Sequence, residues 1–282
     1  MKYCFSVLLI LLLSVGSKGQ ELAFFADVMI NADDPSHRAF AAEKFDDGFN
    51  EALQKPNSFD DSFENLQWIS IQYPSDSSFR IFSWQIESSE DEFLFYTILQ
   101  DSQGNTFAVD GKRGRSNLGE GDIVSWSDWS GALIYGILPI GSEGEYTLLT
   151  YRQRDKYTKV KTIEVLYKES DEWVLGKPVF QIQEDRDEYK NREIMEYSAD
   201  SPTNLTFVKE SNRIVYDNLI AVMGRIPGQG PTQVADGSYK AYQYDNGRWT
   251  NIDKLFDQVL ERPPRAGLNE RSRDLFGRTK KN

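Results

Sequence analysis

Phe79-Arg80-Ile81-Phe82-Ser83-Trp84-Gln85-Ile86 and Phe93-Leu94-Phe95-Tyr96-Thr97-Ile98-Leu99, joined by the acidic residues 87–92, decide the fold class. Runs this short, dense in aromatic and β-branched side chains and bounded by polar residues, read as strands rather than helices. The same texture recurs outward at residues 68–71, 106–109, 132–138, 146–151, 160–167, 179–182, 194–197, 205–208, 214–216, 239–244 and 249–252. Strands in close succession, with turns rather than helices between them, mean antiparallel β-structure and not βαβ units. The expected fold is mostly β: an antiparallel meander forming a sandwich or barrel-like sheet. A small β-propeller is the alternative, although no repeat of the roughly 40–50 residues that a propeller blade needs is visible.

Several connections are specified locally. Ser102-Gln103-Gly104-Asn105, Gly141-Ser142-Glu143-Gly144 and Asp245-Asn246-Gly247 place Gly or Asn where a tight turn needs positive φ, and Asn246-Gly247 is the clearest hairpin signal. Residues 159–166 alternate in part, as a strand with one wet face would. Residues 225–238, rich in Gly and Pro, are the longest irregular stretch. Long loops in compact domains often carry function, and a crossing between sheets is the other reading.

Ahead of the strands, residues 20–60 read as a helical segment packed on the sheet. Asp33, Asp34 and Ser36 lie where an N-cap belongs and Pro35 suits a first turn. Phe40, Phe45, Phe49 and Leu53, with Ala41 and Ala42, outline the apolar stripe of one amphipathic helix, which Lys55-Pro56-Asn57-Ser58 ends. The expected organisation is therefore a signal peptide at 1–19, the helical segment at 20–60, a β-rich domain at 61–256 and a basic C-terminal tail at 257–282.

The signal peptide follows from three features. Lys2 is a positive start, residues 3–15 are almost wholly apolar, and Ser17-Lys18-Gly19 offers small residues for cleavage before Gln20. A transmembrane anchor is the competing reading, and it needs about 20 apolar residues, more than this run holds. The single cysteine, Cys4, lies ahead of the apolar core and not at the cleavage point, which argues against a lipid anchor. Cleavage removes it, leaving a chain without disulfide or thiol nucleophile. The expected location is periplasmic or secreted, with no membrane span after cleavage.

The formal net charge is −12, and losing Lys2 and Lys18 takes it to −14. Such a balance argues against nucleic acid as a partner. Residues 262–282 run the other way, with seven Lys or Arg against Glu270 and Asp274. This tail is either an arm for an acidic surface or a solvated segment folding back on its own acidic body.

Most familiar catalytic machinery is missing. With His37 as the one histidine, at the start of the helix, and with no Gly-x-Ser-x-Gly elbow, a Ser-His-Asp triad has no base. Neither a phosphate-binding loop nor a dinucleotide fingerprint is present, and no metal site or cofactor is expected. Residues 184–188 resemble the start of a calcium loop but lack its glycine and closing glutamate. Paired carboxylates remain available for glycoside hydrolysis. Trp126-Ser127-Asp128-Trp129-Ser130-Gly131 is the candidate ligand site: Trp126 and Trp129 would stack on sugar rings beside Asp128, or else anchor their loop to the sheet.

Glu196-Tyr197-Ser198-Ala199-Asp200, Arg213-Ile214-Val215-Tyr216-Asp217-Asn218-Leu219 and Asp236-Gly237-Ser238-Tyr239 resemble an uncharacterised family of exported proteins from Bacteroidetes. Phe79-Arg80-Ile81-Phe82-Ser83-Trp84-Gln85 and Trp129-Ser130-Gly131-Ala132-Leu133-Ile134-Tyr135 add to the likeness, which covers most of residues 21–250. It implies origin and compartment and carries over no catalytic residue. The expected function is thus a non-enzymatic exported β-protein that binds a glycan or an envelope partner. An envelope hydrolase using paired Asp and Glu carboxylates is the alternative.

Overall fold

The computed structural model describes residues 19–89, 91–139, 144–184 and 186–255. The expected signal peptide up to residue 18 and the basic tail lie outside the described residues. The protein is mostly β, with helices at its N-terminal end and several antiparallel sheets that stack without closing into a barrel.

Among the described residues two helices, not one, precede the sheets. Helix α1 occupies residues 19–31 and α2 spans Pro35–Leu53. The run Leu22-Ala23-Phe24-Phe25-Ala26 is apolar on every side, so no stripe marks α1 in the sequence. Its buried residues, Ala26 and Met29, are three apart and share a face. Asp34 caps α2 by accepting from Ser36 N, with Pro35 in the first turn. Ala41, Phe45, Phe49 and Leu53, each four residues from the last, form its buried stripe, whereas Phe40 falls one position off and is 58% exposed. His37 is exposed in the first turn. Arg38 joins the helices to the sheet by donating to Ala32 O and Asp33 O at the α1–α2 turn and to Glu87 O.

The first sheet is the antiparallel meander β1 (Ser70–Gln72), β2 (Phe79–Ser89), β3 (Glu92–Asp101) and β4 (Thr106–Ala108). The second has the order β5 (Val124–Ser125), β9 (Glu172–Leu175), β8 (Thr158–Glu169), β7 (Glu145–Gln153), β6 (Leu133–Pro139). Strand β8 is long enough to carry two neighbours on one edge: β9 pairs with its end and β12 (Arg192–Ser198) with its start. The third sheet runs β11 (Tyr189–Lys190), β10 (Phe180–Gln181), β16 (Arg248–Ile252), β15 (Pro231–Asp245), β14 (Arg213–Met223), β13 (Leu205–Val208). Only the β10–β16 pairing is parallel among these described strands.

Three cores separate four layers. Alternation along each strand sends successive side chains to opposite faces, so β2 directs Phe82, Trp84 and Ile86 to the helices and Phe79 and Ile81 to the second sheet. The second sheet in turn meets the first with Ile134, Leu148 and Leu166 and the third with Leu149, Ile163 and Val165. Residues 163–166 are buried on both faces, Ile163 and Val165 on one side and Glu164 and Leu166 on the other, whereas Lys159, Lys161 and Thr162 before them are partly exposed.

Side-chain hydroxyls stitch the first two sheets together at one end. Ile134 N donates to Ser83 Oγ at 2.9 Å, Thr97 Oγ1 to Ala132 O at 3.0 Å and Ser70 Oγ to Ile134 O at 2.7 Å. Asn246 (φ 48°) and Gly247 (φ 84°) make the expected two-residue β15–β16 turn. The stretch expected to be irregular is partly strand. From Pro231 onward it pairs with β14, as Met223↔Pro231 and Leu219↔Ala235, around a bulge between Asp217 and Leu219. Gly and Pro at the tip obscured the alternation beside it. Gln229 fastens that tip to the second sheet through Tyr157 O and Ser198 Oγ.

Candidate functional site

Beyond the stitched end the first and second sheets part, leaving a cleft of about 930 Å³. Its floor is one face of β7, β8 and β12. The registers Arg152↔Val160, Thr150↔Thr162 and Arg192↔Glu164 set alternate residues of all three strands side by side. The facing wall is the start of β3, and the loop between β4 and β5 supplies the rim with Lys112 and Asn117. That loop is fixed in place. Arg115 and Trp129 form a parallel bridge, Asp122 accepts from Gly119 N at 2.8 Å and pairs with Arg115 at 3.2 Å, and Asn191 donates to Gly121 O.

Buried charges converge on this floor. Glu164 is 2% exposed and Arg192 1% exposed. Their nearest approach, Arg192 Nε to Glu164 Oε2, is 3.2 Å, without the alignment of a hydrogen bond. Arg192 Nη2 lies 3.5 Å from Leu175 O, and Nη1 is buried with no hydrogen-bond partner among the described residues. Arg152 donates to Ser130 Oγ and lays its guanidinium 4.8 Å from the centroid of the Phe95 ring, a cation–π distance. At the rim Arg154 pairs with Glu196 at 2.6 Å.

Burial holds the Glu164 carboxyl above the ordinary carboxylate range, against the pull of Arg192 and Arg152. Burial likewise pushes the Arg152 guanidinium down to about 10, with Glu164 opposing, so it stays charged at neutral pH. A cation and a carboxylate withdrawn from water are costly unless every polar atom is paired. Here several are not, and they belong to residues that line a cavity.

Arg80 provides the contrast. It too is fully buried, yet Nε donates to Gln100 Oε1 at 2.9 Å, Nη1 to Asp61 O at 2.5 Å and Nη2 to Ser58 O at 2.5 Å. Its partners are fixed parts of the fold, and it lines none of the cavities described.

The sequence-predicted site residues lie elsewhere in part. Trp126 is 3% exposed, with Nε1 donating to Phe107 O at 2.9 Å, and Trp129 is 2% exposed. Both belong to the core between the first and second sheets, so their indole faces are packed, as an anchor for the loop requires. Asp128 is exposed, and of the three only Trp129 borders the cleft. Arg152, Glu164 and Arg192 escaped sequence reasoning because strand pairing, not spacing along the chain, brings them together. One signal was available: Glu164 interrupts the apolar run Ile163 to Leu166 in the middle of a strand.

Comparison of the chain with protein-family models, with curated proteins and with solved structures finds no match.

Proposed function

We propose that this chain is an exported, non-enzymatic binding protein that takes a glycan in the cleft between its first and second sheets. The observation that carries the reading is the group of buried, incompletely paired charges on Arg192 and Glu164, two residues that line a cavity of about 930 Å³. That volume falls within the usual few hundred to about 1,000 Å³ of small-molecule sites. Thr162, Asn117 and Gln153, each at least partly exposed in the cleft, offer hydrogen bonds to sugar hydroxyls. The export half of the reading is supported by the positive start, apolar run and small residues of 1–19. Periplasmic or secreted localisation is checked by fractionation and by sequencing the mature N-terminus, expected at Gln20.

Binding is tested on a glycan array with the wild-type chain and with Thr162→Trp, which fills the cleft floor without touching its charges. Retention of one glycan class that Thr162→Trp abolishes is expected. Array signals indifferent to that substitution would place recognition elsewhere.

A second reading, the hydrolase, draws on one feature: Glu164 and Glu196 share the cleft, and Glu164 is held protonated more readily than an ordinary carboxyl. It predicts release of reducing ends from the retained glycan, lost in Glu164→Gln. The binding reading predicts none.

A further inference from the structure

The charges in the cleft narrow the ligand. Its lining holds four cations, Lys112, Arg152, Arg154 and Arg192, against three acids, Glu92, Glu164 and Glu196. One positive charge is therefore left over, inside a chain whose formal net charge is −12. An acidic surface repels anions generally, so a local excess of positive charge in a concave, low-dielectric site gives selective attraction there. The rim pair Arg154–Glu196 satisfies itself at 2.6 Å, and Lys112 on the rim is balanced in count by Glu92 on the wall, which leaves Arg152 and Arg192 against Glu164 at the floor.

At that floor Arg192 Nη1 lacks a partner and its Nε meets Glu164 without an aligned hydrogen bond. A guanidinium presents a planar fork of donors that matches the two oxygens of a carboxylate. Arg152, held over Phe95 and tied to Ser130, lies on the neighbouring strand opposite Val160, and its charge acts on Glu164. Arg192 and Arg152 thus act on one buried carboxylate, Glu164, and donors of Arg192 are left unpaired beneath the cleft lining.

Resting on the binding function proposed above, we infer that the ligand is an acidic glycan whose uronic-acid carboxylate is recognised by Arg192 and Arg152. The incoming carboxylate draws Arg192, whose unpaired donors are buried in this structure, away from Glu164 and toward the cleft, and Glu164 serves as the internal counter-ion that keeps the seat folded in its absence. A monoanion matches the single excess charge. A phosphate dianion would leave a surplus negative charge against Glu164.

The test titrates the full chain with D-glucuronate, D-glucose and inorganic phosphate at pH 7.5, followed calorimetrically. Saturable binding of D-glucuronate, at least tenfold tighter than either of the others, is expected. Glucose binding as tightly as glucuronate, phosphate binding more tightly, or no glucuronate binding overturns the inference. Arg152→Gln, at a half-buried position, is expected to weaken glucuronate at least tenfold. Glu164→Gln, which removes the competing charge, is expected to tighten it about fivefold. An affinity that Arg152→Gln leaves unchanged also overturns the assignment, and this holds if Glu164→Gln does not fold. The two proposals fail separately. Neutral glycans lost in Thr162→Trp, with glucuronate ignored, leave the binding function standing without the carboxylate. The absence of any Thr162→Trp-sensitive ligand removes both.

Discussion

At the scale of single residues, the buried arginines show how one side-chain type serves two ends. Arg80 is enclosed by Gln100, Asp61, Ser58 and the Tyr73 hydroxyl, and its guanidinium lies 4.6 Å from the Phe82 ring and 5.1 Å from that of Phe63. It fixes the segment that follows α2 to the face of the first sheet. Arg80→Met keeps the volume but leaves Gln100 Oε1 and the Ser58 and Asp61 carbonyls without their charged donor. Hydrogen bonds to charged groups contribute about 1.5–3 kcal/mol each, so a loss of roughly 3 kcal/mol or more is expected in urea unfolding. A loss below about 1 kcal/mol would mean the network adds little to the fold. None of this is legible in Phe79-Arg80-Ile81-Phe82, where nothing local separates a buried arginine from an exposed one. Burial of a charge depends on partners supplied by distant segments, here residues 58–61 and 100, and no local pattern announces them.

At the scale of elements, legibility followed periodicity. The strands were readable because alternation and turn chemistry are local, and Asn246-Gly247 fixed its hairpin register through two positive φ angles. Strands of two to four residues were legible unevenly, β1, β4, β10 and β13 but not β5, β9 and β11, since so short an element is held by its neighbours more than by its own pattern. The tryptophan loop was legible as a feature but not as a role, because burial of an indole is decided by the sheet beneath it. The joint between β9 and β12 positions the site. Gly176, at φ +102°, ends β9 where an added Cβ would lie 2.5 Å from Asp122 O and 3.0 Å from Arg192 Nη2. Gly176→Ala must therefore strain its backbone and displace either the rim loop or the floor arginine. A destabilisation of about 1–3 kcal/mol is expected. Weaker glucuronate binding should accompany it, measured by urea unfolding and calorimetry on the same sample. An unchanged unfolding midpoint would show that the joint yields without cost.

At the scale of the whole molecule, four layers bring acidic exteriors around one positively biased cleft, and that arrangement couples binding to protons. Glu164 is faced by Arg152 from β7, Arg192 and Glu196 from β12, Glu92 from β3 and Lys112 from the rim loop, with Asp122 near Arg192. Burial raises the folded-state pKa of Glu164 above its ordinary value of 4.5. The folded protein thus holds this proton more tightly than the unfolded chain does. Its contribution to stability is fully present below about 4.5 and is lost as pH rises through the folded value. A ligand carboxylate that draws Arg192 away from Glu164 weakens the charge holding Glu164 ionised, so binding takes up a proton. Affinity for glucuronate is then expected to rise as pH falls from 7.5 toward the window above 4.5, and to decline only where the ligand's own carboxyl becomes protonated. Glu164→Gln removes the titrating group. Its affinity should stay flat across the same range, while the urea-unfolding difference between variant and wild type changes with pH in the sense given. Calorimetry in two buffers of different ionisation enthalpy counts the proton directly. An uptake near zero in the wild type, or the same slope in Glu164→Gln, would assign the pH response to other carboxylates and leave Glu164 a purely structural counter-ion.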